Sequence, residues 1–332
     1  MAMDAELRDR YGRRHDTLRV SVTDRCNLRC FYCMPERGVR FVPRRDILSF
    51  EEIERLARVA AGLGVSRVRI TGGEPLVRKD LPRLIRRLAA IPALEDLALT
   101  TNGVLLAELA APLYAAGLRR LNVHLDTVDR ERFAGITRRD ALERVLAGLE
   151  AARAAHFDPI KINVVAVKNL VEPDVAPLVR FARDRSLEIR FIEFMPLDAQ
   201  GLWDRDKVLS AEEILEILAR DIAPLEEVAG QGAGPARRFR FTRGAGEVAF
   251  IASESRPFCA SCNRLRLTAD GKLRYCLFAL EETDVRTLLR SGASDEQLAE
   301  AIRSTLAAKW EGHAIHGAAF VAPPRAMHAI GG

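Results

Sequence analysis

The sequence predicts an α/β protein built on a parallel β-sheet, and three observations support this fold class. Before residue 195, short apolar segments with strand character alternate with helical patterns, as in a parallel sheet with helical crossovers. These segments are almost continuously apolar, so we expect both faces of the sheet to be covered. Polar motifs follow the first four segments, and the carboxyl ends of such strands meet at one edge. An open sheet and a partial barrel both satisfy these observations.

The predicted strands are short and follow one another at intervals along the chain. They span residues 18–22, 67–71, 97–100, 121–125, 160–167 and 189–194. The clearest helical pattern covers residues 49–64, where Ser49 and Glu52 form a capping box and glycines end the helix. Comparable helical patterns follow the other strands, which supports a parallel arrangement.

Beyond residue 200 the pattern changes to one helix followed by hairpins. Ser210 and Glu213 form a second capping box at the start of that helix. Two hairpins follow, the second around an Asp270-Gly271 turn, and a last helix lies near residues 295–307. The hairpin strands are residues 237–242 with 247–253, and 264–268 with 272–276. We therefore expect two domains, residues 1–200 and residues 201–332.

Composition and charge describe an ordinary globular protein. Hydrophobic residues make up 48% of the chain and charged residues 29%, with a formal net charge of +5. A mildly basic balance suits an anionic ligand or a nucleic acid and does not choose between them. The amino terminus lacks the apolar segment of a signal peptide, and no run of 18 apolar residues occurs. We expect a cytoplasmic protein that does not bind a membrane.

The first cysteine set is Cys26, Cys30 and Cys33, on a loop after the first predicted strand. Three thiolates can hold three corners of a cubane iron-sulfur cluster, which leaves the fourth iron open to another ligand. A structural zinc ion would normally have a fourth Cys or His, and cysteines packed as small hydrophobic residues are the remaining alternative.

The second cysteine set is Cys259, Cys262 and Cys276, and it again offers three ligands. A second open cluster is the favoured interpretation, with zinc as the alternative. Between these ligands lie Arg264 and Arg266, which project to the same side of a strand and can face an anion or a base. The two sets use all six cysteines, so none remains for a disulfide framework.

Further polar residues follow the predicted strands or interrupt them. The motifs after strands two, three and four contain Gly72, Gly73 and Glu74, then Thr101 and Asn102, then His124. Buried cations need an anionic partner, so the charged residues within strands indicate either ion pairs or a polyphosphate ligand. These cations are Arg19, Arg67, Arg69, Lys161 and Arg190.

The spacing of the first cysteine set, with Tyr32 directly before Cys33, resembles the signature of the radical S-adenosylmethionine (SAM) superfamily. Additional motifs are ITGGEP, TTNG, EIRFIEFMPL, the second cysteine set and the final Gly331-Gly332. Together they resemble the GTP 3',8-cyclase family of molybdenum cofactor biosynthesis over nearly the whole chain. The resemblance implies an incomplete (β/α)6 barrel with a C-terminal extension that carries a second iron-sulfur cluster.

The resemblance also implies the cofactors and the role of each site residue. Two [4Fe-4S] clusters would bind to the two cysteine sets, the first of them together with SAM. Residues near SAM would be Tyr32, Gly72, Gly73, Glu74, Thr101, Asn102, His124 and Arg190, although many relatives carry Ser in place of His124. Residues near the substrate would be Arg19, Arg67, Arg69, Lys161, Arg264 and Arg266. Catalytic roles would belong to Arg264, Arg266, Gly331 and Gly332.

The implied reaction is that of a lyase. An adenosyl radical would take the 3' hydrogen of GTP, and the resulting carbon radical would attack C8 of guanine. The product would be (8S)-3',8-cyclo-7,8-dihydroguanosine 5'-triphosphate. A reducing electron donor and the downstream cyclic pyranopterin monophosphate synthase are the implied partners, and the sequence leaves open whether the protein is a homodimer.

Two other functions are compatible with parts of the sequence. A radical SAM enzyme that modifies a peptide also uses auxiliary clusters, but it usually carries more than the three cysteines found after residue 200. A metal-cluster protein that binds nucleic acid would explain the pI and the two arginines of the second hairpin. It would not explain the GGEP motif, and an aromatic content of 6% offers few stacking platforms for bases. We therefore expect no nucleic-acid partner.

Overall fold

A computed structural model describes residues 6–229, 234–244, 246–317 and 320–331 of the chain. The strands in these ranges are β1 (Thr17–Ser21), β2 (Arg67–Thr71), β3 (Asp96–Thr101), β4 (Arg120–His124), β5 (Ile160–Ala166), β6 (Glu188–Glu193), β7 (Leu225–Glu227), β8 (Arg237–Phe241), β9 (Glu247–Ile251), β10 (Arg264–Leu267), β11 (Lys272–Arg274) and β12 (Thr283–Asp284). The helices are α1 (Phe50–Gly62), α2 (Leu81–Ala89), α3 (Leu106–Ala115), α4 (Arg130–Thr137), α5 (Leu142–Ala154), α6 (Glu172–Asp184), α7 (Ala211–Asp221), α8 (Val285–Arg290), α9 (Asp295–Ala307) and α10 (Met327–Ile330).

The central part of the sheet is the parallel run from β1 to β6, in the order of the sequence. Each of the six strands predicted before residue 195 is present, with bounds within one residue of those expected. The capping boxes at Ser49 and Ser210 are also present. The α/β prediction is therefore confirmed, because alternating apolar strands and capped helices are signals that lie within short stretches of sequence.

The two faces of this sheet differ in chemistry. Residues such as Leu18, Val20 and Ile70 are fully buried in the hydrophobic core with the helices. The alternate residues include Arg19, Arg69 and other polar side chains, which point to the opposite face because side chains alternate along a strand. The sequence predicts that both faces are covered, whereas this second face carries polar side chains and borders a large cavity. A layer of helices on one side and a cavity on the other favours the partial barrel.

The two predicted hairpins join opposite edges of the central sheet. Strand β9 pairs in parallel with β6, and β8 and β7 extend the sheet beyond it. Strand β10 pairs in parallel with β1, followed by β11 and β12. The order is β12-β11-β10-β1-β2-β3-β4-β5-β6-β9-β8-β7. This arrangement brings Arg266 next to Arg19 in register.

The described helices include none that is both long enough and apolar enough to cross a membrane.

Candidate active site

Both cysteine sets line one cavity at the carboxyl ends of the central strands. All six cysteines are unpaired thiols that are partly exposed. The cavity encloses about 1750 Å³ of atom-free space, its open mouth included. The volume that compares with known ligand sites is about 300 Å³, which lies within the range of about 300–1,000 Å³ for small-molecule pockets.

The donor set of the cavity fits two iron-sulfur clusters. Each set offers three thiols and leaves one cluster position for another ligand. No group of three or more His, Cys, Asp or Glu side chains in the described ranges lies close enough to hold a single ion. A cubane does not need such a group, because each of its cysteines binds a different iron.

The loop of the first cysteine set is fixed against the motif that follows β2. The backbone N–H of Gly73 donates to the Thr23 carbonyl at 2.6 Å, and that of Glu74 donates to the Arg25 carbonyl at 2.7 Å. A Cβ atom on Gly73 would lie 2.5 Å from the Arg25 oxygen, and one on Gly72 would lie 2.7 Å from the Thr23 oxygen. Only glycine permits this close approach of the two backbone segments.

Glu74 joins this motif to the end of β3. Its buried carboxylate accepts hydrogen bonds from the Leu76 N–H at 2.9 Å, the Thr101 hydroxyl at 2.7 Å and the Asn102 N–H at 2.6 Å. Burial raises the pKa of Glu74 to about 7, although these donors oppose the shift. The Asn102 amide in turn donates to the Cys26 Sγ at 3.6 Å. Three of the residues predicted to surround SAM, Glu74, Thr101 and Asn102, thus form one connected network beside the first cysteine set.

Tyr32, His124 and Asp126 form a second network at the same end of the sheet. The Tyr32 hydroxyl contacts both the His124 Nε2 and the Asp126 Oδ2, and His124 lies 2.9 Å from the same carboxylate oxygen. Burial lowers the pKa of His124, but the charge and hydrogen bond of Asp126 outweigh it and leave the pKa raised. His124 therefore lines the cavity as a partnered imidazole.

The two cysteine sets lie in different electrostatic surroundings. Burial raises the pKa of Cys26 to about 11 and that of Cys33 to about 12. Burial also disfavours the Cys262 thiolate, but the cations of Arg264 and Lys309 outweigh it and lower the pKa of Cys262 to about 6.

Three of the predicted cations line the cavity itself, namely Arg19, Arg264 and Arg266. Burial, with the neighbouring Arg264 and Arg69, lowers the pKa of Arg19 to about 9, and the Arg19 Nε has no hydrogen-bond partner. The Arg264 guanidinium lies 4.8 Å from the centre of the Phe258 ring. These cations crowd one another on adjacent strands, so the site attracts negative charge.

The other predicted cations, Arg67, Arg69, Lys161 and Arg190, do not border the cavity that the cysteines line. Arg67 lies 3.6 Å from a carboxylate oxygen of Asp16. Asp96 pairs with both Arg69 at 3.3 Å and Arg120 at 2.7 Å. Glu188 contacts Lys161 and lies 3.8 Å from Arg190. Because Asp96 and Glu188 are each shared by two cations, this face of the sheet keeps an excess of positive charge.

Glu193, at the end of β6, connects the central sheet to the segment before the second cysteine set. Its buried carboxylate accepts the N–H groups of Glu254 and Ser255, both at 2.8 Å, and the Ser255 hydroxyl at 2.6 Å. It also accepts the Ala211 N–H at 3.3 Å. Its donors are thus backbone N–H groups and one hydroxyl.

The carboxyl-terminal segment enters the cavity, where Met327 and His328 are lining residues. The Gly331 carbonyl accepts a hydrogen bond from the Arg266 Nη1 at 3.0 Å. Gly331 has φ +88°, and a Cβ atom there would lie 2.6 Å from the Ser21 Cβ, so the backbone angle and the space both require glycine. Gly332 lies outside the described residues.

Several lining residues were absent from the predicted site. Asn163 lies two positions after Lys161 and so on the same face of β5, a signal that strand alternation could have supplied. His313 also lines the cavity, and Lys309 contacts Cys262. Neither His313 nor Lys309 belongs to a motif or a periodic pattern in the sequence.

Two family patterns match consecutive parts of the chain. The Radical SAM superfamily matches residues 20–182, and Molybdenum Cofactor Synthesis C matches residues 187–315. Among solved structures, Streptococcus suis SuiB bound to S-adenosylmethionine superposes with a TM-score of 0.59 at 17% identity. That alignment covers 87% of this chain and 66% of the other, and it supports the radical SAM fold alone.

Curated relatives cover nearly the whole chain. The GTP 3',8-cyclase of Rhodopirellula baltica is 50% identical over 330 residues, which is 98% of this chain and 92% of that protein. The GTP 3',8-cyclase of Mycobacterium marinum is 47% identical over 334 residues, which is 99% of this chain and 93% of that protein. On the match to both family patterns and to these relatives, the chain belongs to the GTP 3',8-cyclase family of radical SAM enzymes.

Proposed function

We propose that this protein converts GTP to (8S)-3',8-cyclo-7,8-dihydroguanosine 5'-triphosphate, the first step of molybdenum cofactor biosynthesis. Family membership supports this activity. The observation that carries it is the shared cavity, in which two three-cysteine sets face a group of arginines. A substrate held at both ends between the two sets would present its ribose to SAM, and such positioning supplies much of the catalysis.

The cysteine sets hold two [4Fe-4S] clusters in this proposal. Cys26, Cys30 and Cys33 bind the cluster that works with SAM, and the other set binds the auxiliary cluster. When bound, SAM and the clusters supply the one-electron chemistry that begins the reaction at the ribose. The network of Glu74, Thr101 and Asn102 fixes the wall against which SAM lies.

Different residues would surround different parts of bound SAM. Gly72 and Gly73 leave backbone groups accessible beside the methionine end, since neither has a side chain to cover them. Tyr32 and His124 hold each other in place through Asp126, and they would border the bound cofactor. Arg190 retains an unpartnered Nε and would meet the SAM carboxylate.

The excess of cations on this face of the sheet would bind the triphosphate of GTP. Arg69 and Lys161 share their carboxylate partners with Arg120 and Arg190, so a phosphate can take up the uncompensated charge. Arg19 connects this surface to the cavity, and Arg67 joins the surface at the amino end of β2. Each charge-assisted hydrogen bond to a phosphate contributes about 1.5–3 kcal/mol.

Arg264 and Arg266 act at the base and ribose end in this proposal. The Gly331 carbonyl holds the Arg266 guanidinium by a hydrogen bond, so the tail orients an arginine that would otherwise be less constrained. We propose the same role for Gly332. These contacts support a catalytic role for the tail together with the two arginines.

Other parts of the proposal concern organisation and partners. Residues 1–200 would serve SAM and the phosphates, and residues 201–332 would serve the auxiliary cluster, the base and the tail. A reducing protein would donate electrons, and cyclic pyranopterin monophosphate synthase would take the product. The enzyme and both partners would be cytoplasmic.

Sedimentation of the purified protein would show whether it forms a homodimer.

The test is anaerobic reconstitution followed by product analysis. We expect about eight irons per chain, and about half as many when either cysteine set is changed to alanine. With a reductant, GTP and SAM, the intact protein should form the cyclic nucleotide, and both triple variants should form none. Stoichiometric zinc in place of iron, or no product from a fully loaded enzyme, would contradict the proposal.

A further inference from the structure

Lys309 follows α9 and makes a direct contact with the second cysteine set. Its ammonium is almost completely buried, with 3% of the residue exposed. The Nζ donates to the Cys262 Sγ at 3.3 Å and to the Arg264 carbonyl at 3.0 Å. A buried lysine whose hydrogen bonds go to a sulfur and a carbonyl lacks the carboxylate partner that such groups usually have.

The surroundings of Lys309 offer one source of compensating negative charge. In the described parts of the chain, no carboxylate oxygen lies within the 4.0 Å that defines an ion pair with its Nζ. The charged groups that act on it are Cys262, Cys276 and the cation of Arg264. The acceptor beside it that can carry negative charge is the sulfur of Cys262, because a cysteine binds iron as the thiolate.

The position of this lysine is fixed by the amino-terminal segment. Arg13 donates to the carbonyls of Cys259 at 2.9 Å, Trp310 at 2.6 Å and Glu311 at 2.6 Å. Asp9 holds the Arg13 Nε at 2.6 Å. The segment after Lys309 and the loop of the second cysteine set are thus joined through one guanidinium.

The first cysteine set has no comparable cation at hydrogen-bond distance from its sulfurs in the described ranges. Cys26 Sγ accepts from the Leu28 N–H at 3.4 Å and from the Asn102 amide at 3.6 Å, both of them neutral donors. The nearby ionisable groups include Glu74 and the half-buried Arg29 for Cys26, and Asp126 for Cys30. Within the described ranges, a fully buried cation therefore donates to a sulfur of the second cysteine set and not to one of the first.

We infer that Lys309 is a positioning residue that stabilises the sulfur of Cys262 and raises the reduction potential of the auxiliary cluster. The inference rests on the proposed function, because it requires a cluster on the second cysteine set. Reduction adds negative charge to a cluster, and hydrogen bonds and cations at its sulfurs stabilise the reduced state more than the oxidised state. Removing the ammonium makes the auxiliary cluster harder to reduce.

The test measures the potential of the auxiliary cluster alone. The parent is the full-length chain with Cys26, Cys30 and Cys33 changed to alanine, reconstituted anaerobically and titrated under electron paramagnetic resonance. Lys309→Met removes the charge and the donor, Lys309→Gln keeps a donor, and Lys309→Arg keeps both. Lys272→Met is the matched control, because Lys272 lies on the same hairpin as Cys276 and pairs with Asp284 at 2.6 Å.

At a fixed applied potential, Lys309→Met should lower the ratio of reduced to oxidised cluster at least tenfold, a midpoint shift of about 59 mV for one electron. Lys309→Gln should lie between it and the parent, and Lys309→Arg should stay near the parent. A shift in Lys309→Met no larger than that of Lys272→Met would overturn the inference.

Iron content separates failure of the inference from failure of the proposed function. A parent that holds no cluster contradicts the proposed function, whatever residue 309 is. If Lys309→Met and Lys309→Gln lose the cluster while Lys309→Arg keeps it at the parental potential, the cation is required at Cys262, as inferred. If Lys309→Arg loses the cluster as well while Lys272→Met keeps it, a charge at this position does not suffice and the inference is wrong.

Discussion

Replacing Glu193 tests how strongly the central sheet depends on the carboxylate that connects it to the second cysteine set. Glu193→Ala removes the acceptor of the Glu254 and Ser255 N–H groups, both at 2.8 Å, and of two further donors. Glu193→Gln keeps one carbonyl oxygen, which can still accept both N–H groups. Its amide nitrogen then faces the Ser255 hydroxyl, which can accept, and the more distant Ala211 N–H.

The magnitudes follow from this inventory of donors. A buried N–H that loses its acceptor costs about 1–3 kcal/mol, so Glu193→Ala should lower the free energy of unfolding by roughly 2–6 kcal/mol through its two short backbone contacts. Glu193→Gln should cost about 1–3 kcal/mol, because one weak contact is lost.

Urea unfolding of the iron-free protein, followed by circular dichroism, measures these differences. Glu108→Ala is the control, since its side chain is 74% exposed and surface changes usually stay within about 0.5 kcal/mol. Equal losses in Glu193→Ala and Glu193→Gln would refute the reasoning from hydrogen bonds. A loss in Glu193→Ala no larger than that of the control would show that the carboxylate contributes nothing to stability.

Three further predictions concern the substrate, the tail and pH. Lys161→Ala or Arg69→Ala should raise the Kd for GTP at least about tenfold while SAM cleavage persists, since a charge-assisted contact is worth about 1.5–3 kcal/mol; unchanged GTP affinity in both would identify structural ion pairs. Deleting Gly331 and Gly332 should abolish the cyclic product at unchanged iron content, and wild-type turnover would show the tail to be dispensable. Burial and the charge of Lys309 lower the pKa of His15 to about 4. Between pH 4 and pH 6.5, His15 is therefore protonated in the unfolded chain and neutral in the folded chain. The free energy of unfolding should fall as pH falls through this range, by up to about 1.4 kcal/mol per pH unit. A His15→Asn variant with the same slope would contradict this.

The local parts of the fold could be predicted from the sequence. The Ser49 and Ser210 capping boxes and the alternating strands are determined by residues close together in the chain. The attachment of the hairpins could not be predicted, because the pairing of Arg19 with Arg266 joins residues far apart in sequence. Periodicity specifies that a strand exists and gives no information about its neighbour.

The candidate site was predictable to a similar extent. Cysteine spacing indicated both ligand sets because their members lie near one another in sequence. The strand cations were recognised as unusual, but their sharing of Asp96 and Glu188 depends on the register between strands. Lys309 reaches Cys262 through tertiary packing alone, and an isolated lysine after a helix carries no sequence signal.

The attachment of both hairpins to the outer strands of the central sheet affects synthesis on the ribosome. Strand β6 receives its outer neighbour from residues 247–251 and β1 from residues 264–267, so the emerging first 200 residues would present two unpaired edges. Such edges are templates for association with other chains, and domains fold as translation proceeds. The later strands β9 and β10 therefore close both edges only when synthesis is nearly complete, and a ribosome that stalls before them would leave a product with both edges open.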